Sequence, residues 1–127
     1  MPAHLPQLAA VTADRNSSTG RDRTKGPCVY VGALTLDVLL GDVRSLKQKR
    51  SAVRPLIAEV HRKFPGLAVA ETGYLELHRR TEIGVAVVTS TASHAIEVFE
   101  ACERFVAERP DIELLSARRR LFNDEGE

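Results

Sequence analysis

The stretch YVGALTLDVLLGDVRSLKQKR, residues 30 to 50, decides the fold because a strand pattern in it is followed directly by a helix start. Apolar residues of one parity alternate with smaller or more polar residues of the other. The apolar parity consists of Leu34, Leu36, Val38 and Leu40. This alternation predicts a β-strand over residues 30 to 40 with one strongly buried face.

The second half of the stretch predicts a helix. Ser45 is a good N-cap residue, because its hydroxyl can accept a hydrogen bond from a free amide of the first turn. Apolar residues then recur at helical spacing as far as Phe64. Pro55 interrupts this pattern, and a proline inside a helix lacks an N–H and clashes with the preceding turn. We therefore expect the helix to kink or divide at Pro55.

Four further elements follow along the chain. The patterns predict strands over 67–77 and 81–90 with a turn at HRR between them, a helix over 92–108 and a last strand over 111–122. The order strand, helix, strand, strand, helix, strand is that of ferredoxin-like domains. The sequence thus predicts an α+β sandwich, a four-stranded antiparallel sheet with two helices on one face.

The remaining segments bound the domain. The chain has 127 residues and a formal net charge of +1, and we expect one ferredoxin-like domain over residues 28–122. Residues 1–27 carry no long apolar pattern and are predicted to be a disordered N-terminal extension, with a flexible C-terminal tail at 123–127. No run is apolar enough to span a membrane, and no secretory signal is visible. Cys28 and Cys102 are therefore expected to be reduced thiols in a cytoplasmic protein.

One face of the predicted sheet has no covering layer within the chain. By parity its central positions are small and aliphatic, notably Val31, Ala33, Ala86 and Val88. An RNA recognition motif would need aromatic residues at such positions to stack bases, so that class is excluded. An aliphatic face left in water would be an unusually large apolar patch. We therefore expect these four residues to form the interface of a homo-oligomer, most simply a homodimer.

The charges segregate along the chain. Residues 44–80 hold nine basic and three acidic residues, whereas residues 81–117 hold two basic and seven acidic ones. This pattern allows two explanations, of which the first is a seam of opposite charge between neighbouring helices. The second is a binding site for an anion or a nucleic acid, since cations in a first helical turn are unfavourable unless an anion offsets them. Its candidates are Lys47, Lys49, Arg50, Arg54, Arg79 and Arg80, with Arg118, Arg119 and Arg120 on an edge strand.

No constellation of residues predicts catalysis. There is no phosphate-binding glycine loop, and the four histidines are scattered. No two candidate ligands share a recognisable metal-binding spacing. The sequence therefore predicts a protein that is not an enzyme and needs neither a cofactor nor a metal.

Four segments carry a resemblance to a known family. YVGAL (30–34), SLKQKRSAVRPL (45–56), IGVAVV (83–88) and CERFVAERPDIELL (102–115) resemble the YlxP-like family, a bacterial domain family of unknown function. The resemblance covers nearly all of residues 29 to 121 and implies a ferredoxin-like fold, with no established reaction or cofactor. Members are often encoded beside translation initiation factor two and ribosome-binding factor A, which implies a role around ribosome maturation or translation. The chain departs from the family in its extension at 1–27 and in lacking a larger aromatic residue near His78.

Two function hypotheses remain open. The first is a non-enzymatic binding protein that contacts ribosomal RNA or a ribosome-associated protein through the basic first helix and the hairpin. The second is a homo-oligomeric regulatory protein of ferredoxin-like architecture whose basic helix holds a small anionic ligand. A steep dependence of RNA binding on salt would favour the first hypothesis. Saturable binding of one metabolite without RNA affinity would favour the second.

Overall fold

The computed structural model describes residues 29–123 and contains four strands and two helices in that range. The predicted N-terminal extension, Cys28 and residues 124–127 lie outside the described residues. In chain order the elements are β1 (Tyr30–Leu40), α1 (Leu46–Lys63), β2 (Ala68–Gly73), β3 (Arg80–Thr89), α2 (Ala92–Ala107) and β4 (Ile112–Asn123). Asn123, which we expected in the C-terminal tail, is the last residue of β4 and is buried.

The four strands form one antiparallel sheet in the order β2-β3-β1-β4. Both helices pack on the same face of this sheet, and the fold is ferredoxin-like, as predicted. In β1 every second residue is buried, because Leu34, Leu36, Val38 and Leu40 all point into the layer between the sheet and the helices. The strand and its parity are therefore confirmed.

The core fills the space between the sheet and the two helices. Its buried members from the helices include Val53, Leu56 and Val60 of α1, and Phe99 and Val106 of α2. Phe64 and Phe105 meet edge to face, with 5.8 Å between their ring centroids, and join the ends of the two helices. Such a pair stabilises packing by about 1 kcal/mol beyond the area that it buries.

Helix α1 runs undivided through Pro55, so of the two outcomes expected there, a kink or a division, the division does not occur. Ser45 caps its start by accepting a hydrogen bond from the Gln48 amide at 3.1 Å. The Gln48 side chain in turn accepts one from the Arg44 amide at 2.7 Å, which closes a variant of the capping box. Pro55 has no N–H to donate to the carbonyl of Ser51, four residues earlier. Both residues are exposed, so water can hydrogen-bond to that carbonyl and the helix continues.

Strand β2 ends earlier than predicted. The pattern suggested a strand to residue 77, whereas the structure ends it at Gly73 after a bulge between Glu71 and Gly73. Tyr74 has a positive φ of 57°, which turns the backbone away from the sheet. The Leu77 amide then donates to the Tyr74 carbonyl at 3.1 Å, so residues 74–79 form a loop.

Candidate anion-binding surface

The candidate cations of α1 fall on two different sides of the helix. Lys47, Arg50 and Arg54 are exposed, and their spacing of three and four residues places them along one flank. We call these three residues the basic flank. Over the range that the structure describes, no carboxylate lies within ion-pair distance of any of them.

Lys49 lies on the buried side of the same helix and is removed from the candidate site. Its side chain is 3% exposed, and its ammonium lies 3.1 Å from a carboxylate oxygen of Glu71 on β2. It also donates a hydrogen bond to the Tyr74 carbonyl, at the point where the chain leaves β2. The Thr81 hydroxyl donates to the same Glu71 carboxylate at 2.8 Å. This network fastens α1 to the sheet and leaves Lys49 unable to meet an external anion.

Arg79 and Arg80 are also occupied by partners within the chain. Arg79 donates from Nε to the carbonyl of Gly41 at 3.0 Å and so closes the loop that follows β1. Arg80 binds both carboxylate oxygens of Asp37, at 2.7 and 2.9 Å, and its guanidinium lies 4.5 Å from the ring centroid of Tyr74. The hydrogen bond to Asp37 raises the pKa of Arg80 further. Both arginines therefore hold the loops at one end of the sheet together.

The three arginines of edge strand β4 divide by parity. Arg119 faces α2, donating to Glu103 at 2.8 Å and lying 3.8 Å from Glu100, and the Glu103 hydrogen bond raises its pKa. Arg118 and Arg120 are exposed on the opposite, uncovered face of the sheet. The run of three therefore does not form one patch.

The acidic carboxylates of α2 do not pair with the basic flank of α1. Glu100 and Glu103 meet Arg119 of β4 instead. The ion pair that does join α1 to the end of α2 has the reverse polarity, since Glu59 of α1 accepts from Arg109. A seam of opposite charge between the helices thus gives no account of Lys47, Arg50 and Arg54.

The surface beside the start of α1 is an open depression rather than an enclosed cavity. It is lined by Asp42, Val43, Ser45, Lys47, Gln48, Ser51 and Ala52. The Gln48 amide donates its hydrogen bond to the Ser45 hydroxyl, so this capped helix start has fewer free N–H groups for an anion than an uncapped one. The depression offers one cation and one carboxylate, and neither is enclosed.

Metal-ligand clusters, membrane-spanning helices and the one described cysteine, Cys102, bear on other kinds of chemistry. Within residues 29–123 there is no group of three or more His, Cys, Asp or Glu side chains that could hold a metal ion. Neither helix of that range is long and apolar enough to cross a membrane. Cys102 is buried on α2, and loss of hydration followed by the charge of Glu103 raises its pKa to about 11. Its thiol therefore stays protonated at neutral pH and is a poor nucleophile.

Sequence reasoning missed the partner of Lys49. Glu71 lies on β2 two residues after Val69, which packs against the core. Because alternate residues of a strand share a face, the pattern places the Glu71 carboxylate at an inward-facing position. That position was the available signal for a buried cation nearby. It also missed Phe122, which lies on the uncovered face beside Arg120, with 5.8 Å between the guanidinium and the ring centroid.

Comparison with known proteins places the chain in a family. The profile of the family described as "Protein of unknown function (DUF503)" matches residues 31–119. The uncharacterized protein YlxP of Bacillus subtilis (strain 168) is 27% identical over 92 residues, which are 72% of this chain and 99% of that protein. These two findings confirm the resemblance seen in the sequence.

Two solved structures share a distant likeness in fold. The de novo designed protein Foldit4 has a TM-score of 0.43 and 12% identity, over 72% of this chain and 94% of its own. A putative antibiotic biosynthesis monooxygenase from Bacillus cereus has a TM-score of 0.37 and 18% identity, over 76% of this chain and 92% of its own. Neither likeness bears on function. The family match covers most of the domain, and the chain is therefore a member of the DUF503 family of proteins of unknown function.

Proposed function

We propose that this protein is a cytoplasmic, non-enzymatic binding protein that acts in ribosome maturation or translation by contacting RNA through the basic flank of α1. The observation that supports this proposal is the absence of any carboxylate partner for Lys47, Arg50 and Arg54 among the described residues. Other basic residues such as Lys49 and Arg119 each have a carboxylate partner in the fold. Unpartnered cations aligned on one flank suit an external polyanion.

The chemistry of the three side chains fits a phosphate backbone. At a rise of about 1.5 Å per residue, Lys47 and Arg54 stand about 10 Å apart along the helix axis, a distance that spans several phosphates of one strand. Arg50 and Arg54 offer planar forks that match phosphate oxygens, and Lys47 offers a mobile point charge. A phosphate near the first turn would also offset the unfavourable position of Lys47 against the helix dipole.

Contacts of this kind read the backbone and not the bases. The central strands carry no aromatic residue on the uncovered face of the sheet, so the stacking used by RNA recognition motifs has no platform there. We therefore expect affinity for structured RNA with weak sequence preference and a marked dependence on salt. A small anionic ligand, the other candidate, would need a more enclosed site than the depression at the start of α1.

The test compares two charge-reversal variants of equal charge. The first is Lys47→Glu with Arg50→Glu on the basic flank. The control is Arg62→Glu with Lys63→Glu, which reverses two exposed cations in the last turn of the same helix. Wild type and both variants are measured for co-sedimentation with bacterial ribosomal subunits, and for binding to a labelled structured fragment of ribosomal RNA between 50 and 300 mM salt. Thermal melting of each variant monitors folding.

For the wild type we expect a slope of log K against log salt of about −2 to −3, as three phosphate contacts require. The basic-flank variant should lose at least tenfold in affinity and most of that slope while its melting temperature is unchanged or higher. RNA binding that is unchanged in this variant, or reduced equally in the control, would overturn the proposal. Saturable binding of a small anion by a wild type that has no RNA affinity would support the alternative.

A further inference from the structure

The uncovered face of the sheet combines a small-residue centre with charges of opposite sign on two borders. Its rows run across the strands in the order β4, β1, β3, β2. From one end they are Phe122–Val31–Val88, Arg120–Ala33–Ala86–Ala68, Arg118–Thr35–Gly84–Ala70 and Ser116–Asp37–Glu82. The β4 border is therefore basic, the last row carries the carboxylates of Glu82 and of Asp37, the second of which is bound by Arg80 on the same face, and the centre is nearly flat.

This face leaves apolar surface in contact with water. Val88 is 70% exposed, and Ala86, Ala68 and Ala70 are also exposed. No element of the described chain lies over them, since both helices pack on the other face. An apolar patch with a charged rim is the usual mark of an interaction surface.

We propose that the occupant of this face is a second copy of the same chain, bound about a twofold axis with the strands of the two sheets crossing at nearly a right angle. In this dimer Arg120 lies against the partner's Glu82, and Arg118 lies against the partner's Asp37. The proposal is independent of RNA binding by α1, because the basic flank lies on the opposite side of the sheet.

The pairing follows from the spacing of an ideal sheet. Strands lie about 4.8 Å apart, and alternate residues of one strand lie about 6.7 Å apart. We place a twofold axis in the plane between two facing sheets, along the diagonal that passes close to Thr35 and Ala86. Rotation about this axis turns the strands of one sheet so that they run across the strands of the other. On this lattice Arg120 falls about 3 Å from the partner's Glu82, measured in the sheet plane. Arg118 falls equally close to the partner's Asp37.

The same operation matches side-chain sizes. Val88 falls over the partner's Ala68, and Phe122 falls over the border near the partner's Ala70. Ala33 falls over the partner's Gly84, whose neighbour on this face is the exposed Thr72 side chain. Rotation about the other diagonal instead places Arg118 over apolar β3 residues, so charge selects one of the two orthogonal arrangements. Orthogonal packing of two sheets about 10 Å apart is an established arrangement.

The Arg120–Glu82 contact carries the specificity of this dimer. Asp37 already binds Arg80 within its own chain, whereas among residues 29–123 the Glu82 carboxylate accepts only from the exposed Thr72 hydroxyl, at 2.7 Å. The face measures roughly 20 by 20 Å, which places the interface at the small end of specific ones. We therefore expect a dissociation constant in the micromolar range that responds strongly to single charges.

The experiment uses the reciprocity of a twofold contact. In a dimer of Arg120→Glu chains, two glutamates face each other at both contacts, and in a dimer of Glu82→Arg chains two arginines do so. When the two variants are mixed, each contact again joins a glutamate to an arginine. The measurements are sedimentation velocity of the full-length wild type and variants from 1 to 200 μM, and native mass spectrometry of the mixture.

We expect wild type to dimerise, each single variant to self-associate at least tenfold more weakly, and the mixture to form a heterodimer near wild-type affinity. Since both variants must be folded to reconstitute a heterodimer, that arm also controls for misfolding. Wild type that stays monomeric to 200 μM would overturn the proposal. So would single variants that dimerise like wild type, or a mixture that forms no heterodimer, since either would remove the Arg120–Glu82 contact.

Discussion

The layer between the helices and the sheet differs from the outer flank of α1 in how its cations are paired. In the inner layer Lys49 has Glu71, and Arg119 at its margin has Glu103. On the outer flank of α1, Lys47 and Arg50 have no partner among the described residues. The same residue type thus serves two purposes two positions apart, because a rotation of about 200° separates those positions on a helix. The basic stretch SLKQKR therefore contains one structural cation, Lys49, between two exposed cations, Lys47 and Arg50, that have no carboxylate partner among the described residues.

The largest expected effect concerns the anchor. Lys49→Met leaves the Glu71 carboxylate, whose side chain is 22% exposed, without its cation; removing one partner of a fully buried pair costs about 3–5 kcal/mol, and the partial exposure of Glu71 favours the lower end of that range. We therefore expect Lys49→Met to lower the free energy of unfolding by about 3 kcal/mol, measured by urea denaturation. Lys47→Met, the matched control on the outer flank, should change it by less than about 0.5 kcal/mol.

A second variant separates the loss of a pair from the loss of packing. Adding Glu71→Leu to Lys49→Met removes both charges, and apolar replacement of a whole buried pair is often neutral. The double variant should therefore recover part of the lost stability. If Lys49→Met proves no more damaging than Lys47→Met, the distinction between the two sides of α1 is wrong.

This distinction also marks how far the sequence could predict the structure. Alternation gave the bounds of β1 and the parity of both faces, and the Ser45 cap gave the start of α1, because these depend on neighbours in the chain. Charge spacing could not separate Lys49 from Lys47, because the partner of Lys49 lies 22 residues further along the chain on another element. The early end of β2 depends on the positive φ of Tyr74, which the local sequence pattern does not predict. Side-chain pairs between residues far apart in the chain, such as Lys49 and Glu71, therefore could not be predicted from the sequence.

The next prediction compares the stability lost when a glycine on each face of the sheet is replaced by alanine. A Cβ on Gly32 would lie 2.8 Å from the ring of Phe99, a fully buried side chain that cannot move aside. A Cβ on Gly84 would lie 2.7 Å from the methyl group of Thr72, an exposed side chain that can change rotamer. We expect Gly32→Ala to destabilise by about 2 kcal/mol through overpacking and Gly84→Ala by less than about 1 kcal/mol.

Thermal melting of the two glycine variants measures this difference, with Gly66→Ala as a control because a Cβ there meets nothing within 4 Å. Equal losses at Gly32 and Gly84 would mean that the uncovered face is as tightly restrained as the core. In the proposed dimer Gly84→Ala should in addition weaken self-association, since Ala33 falls over the partner's Gly84. Gly32→Ala should leave the dimer contact itself untouched.

The smallest expected effect tests whether Lys47 opposes the dipole of its helix. The first turn of α1 contains no acidic residue, and the last turn contains His61, Arg62 and Lys63. A glutamate near a helix start stabilises by about 0.3–1 kcal/mol, so Lys47→Glu should raise the free energy of unfolding at low salt. Arg62→Glu makes the same charge change at the other end, where it should lower stability by a similar amount.

The two variants change the same charge on the same helix, both at exposed positions, so the difference between them isolates the effect of position along the dipole. At 1 M salt the screening length falls to about 3 Å, and we expect both effects to shrink. Urea denaturation at low and high salt measures them. A loss of stability in Lys47→Glu would mean that the Lys47 ammonium already has an anionic partner in the fold. The proposed RNA contact would then lose its physical argument, because that argument requires a cation whose position is unfavourable until a phosphate arrives.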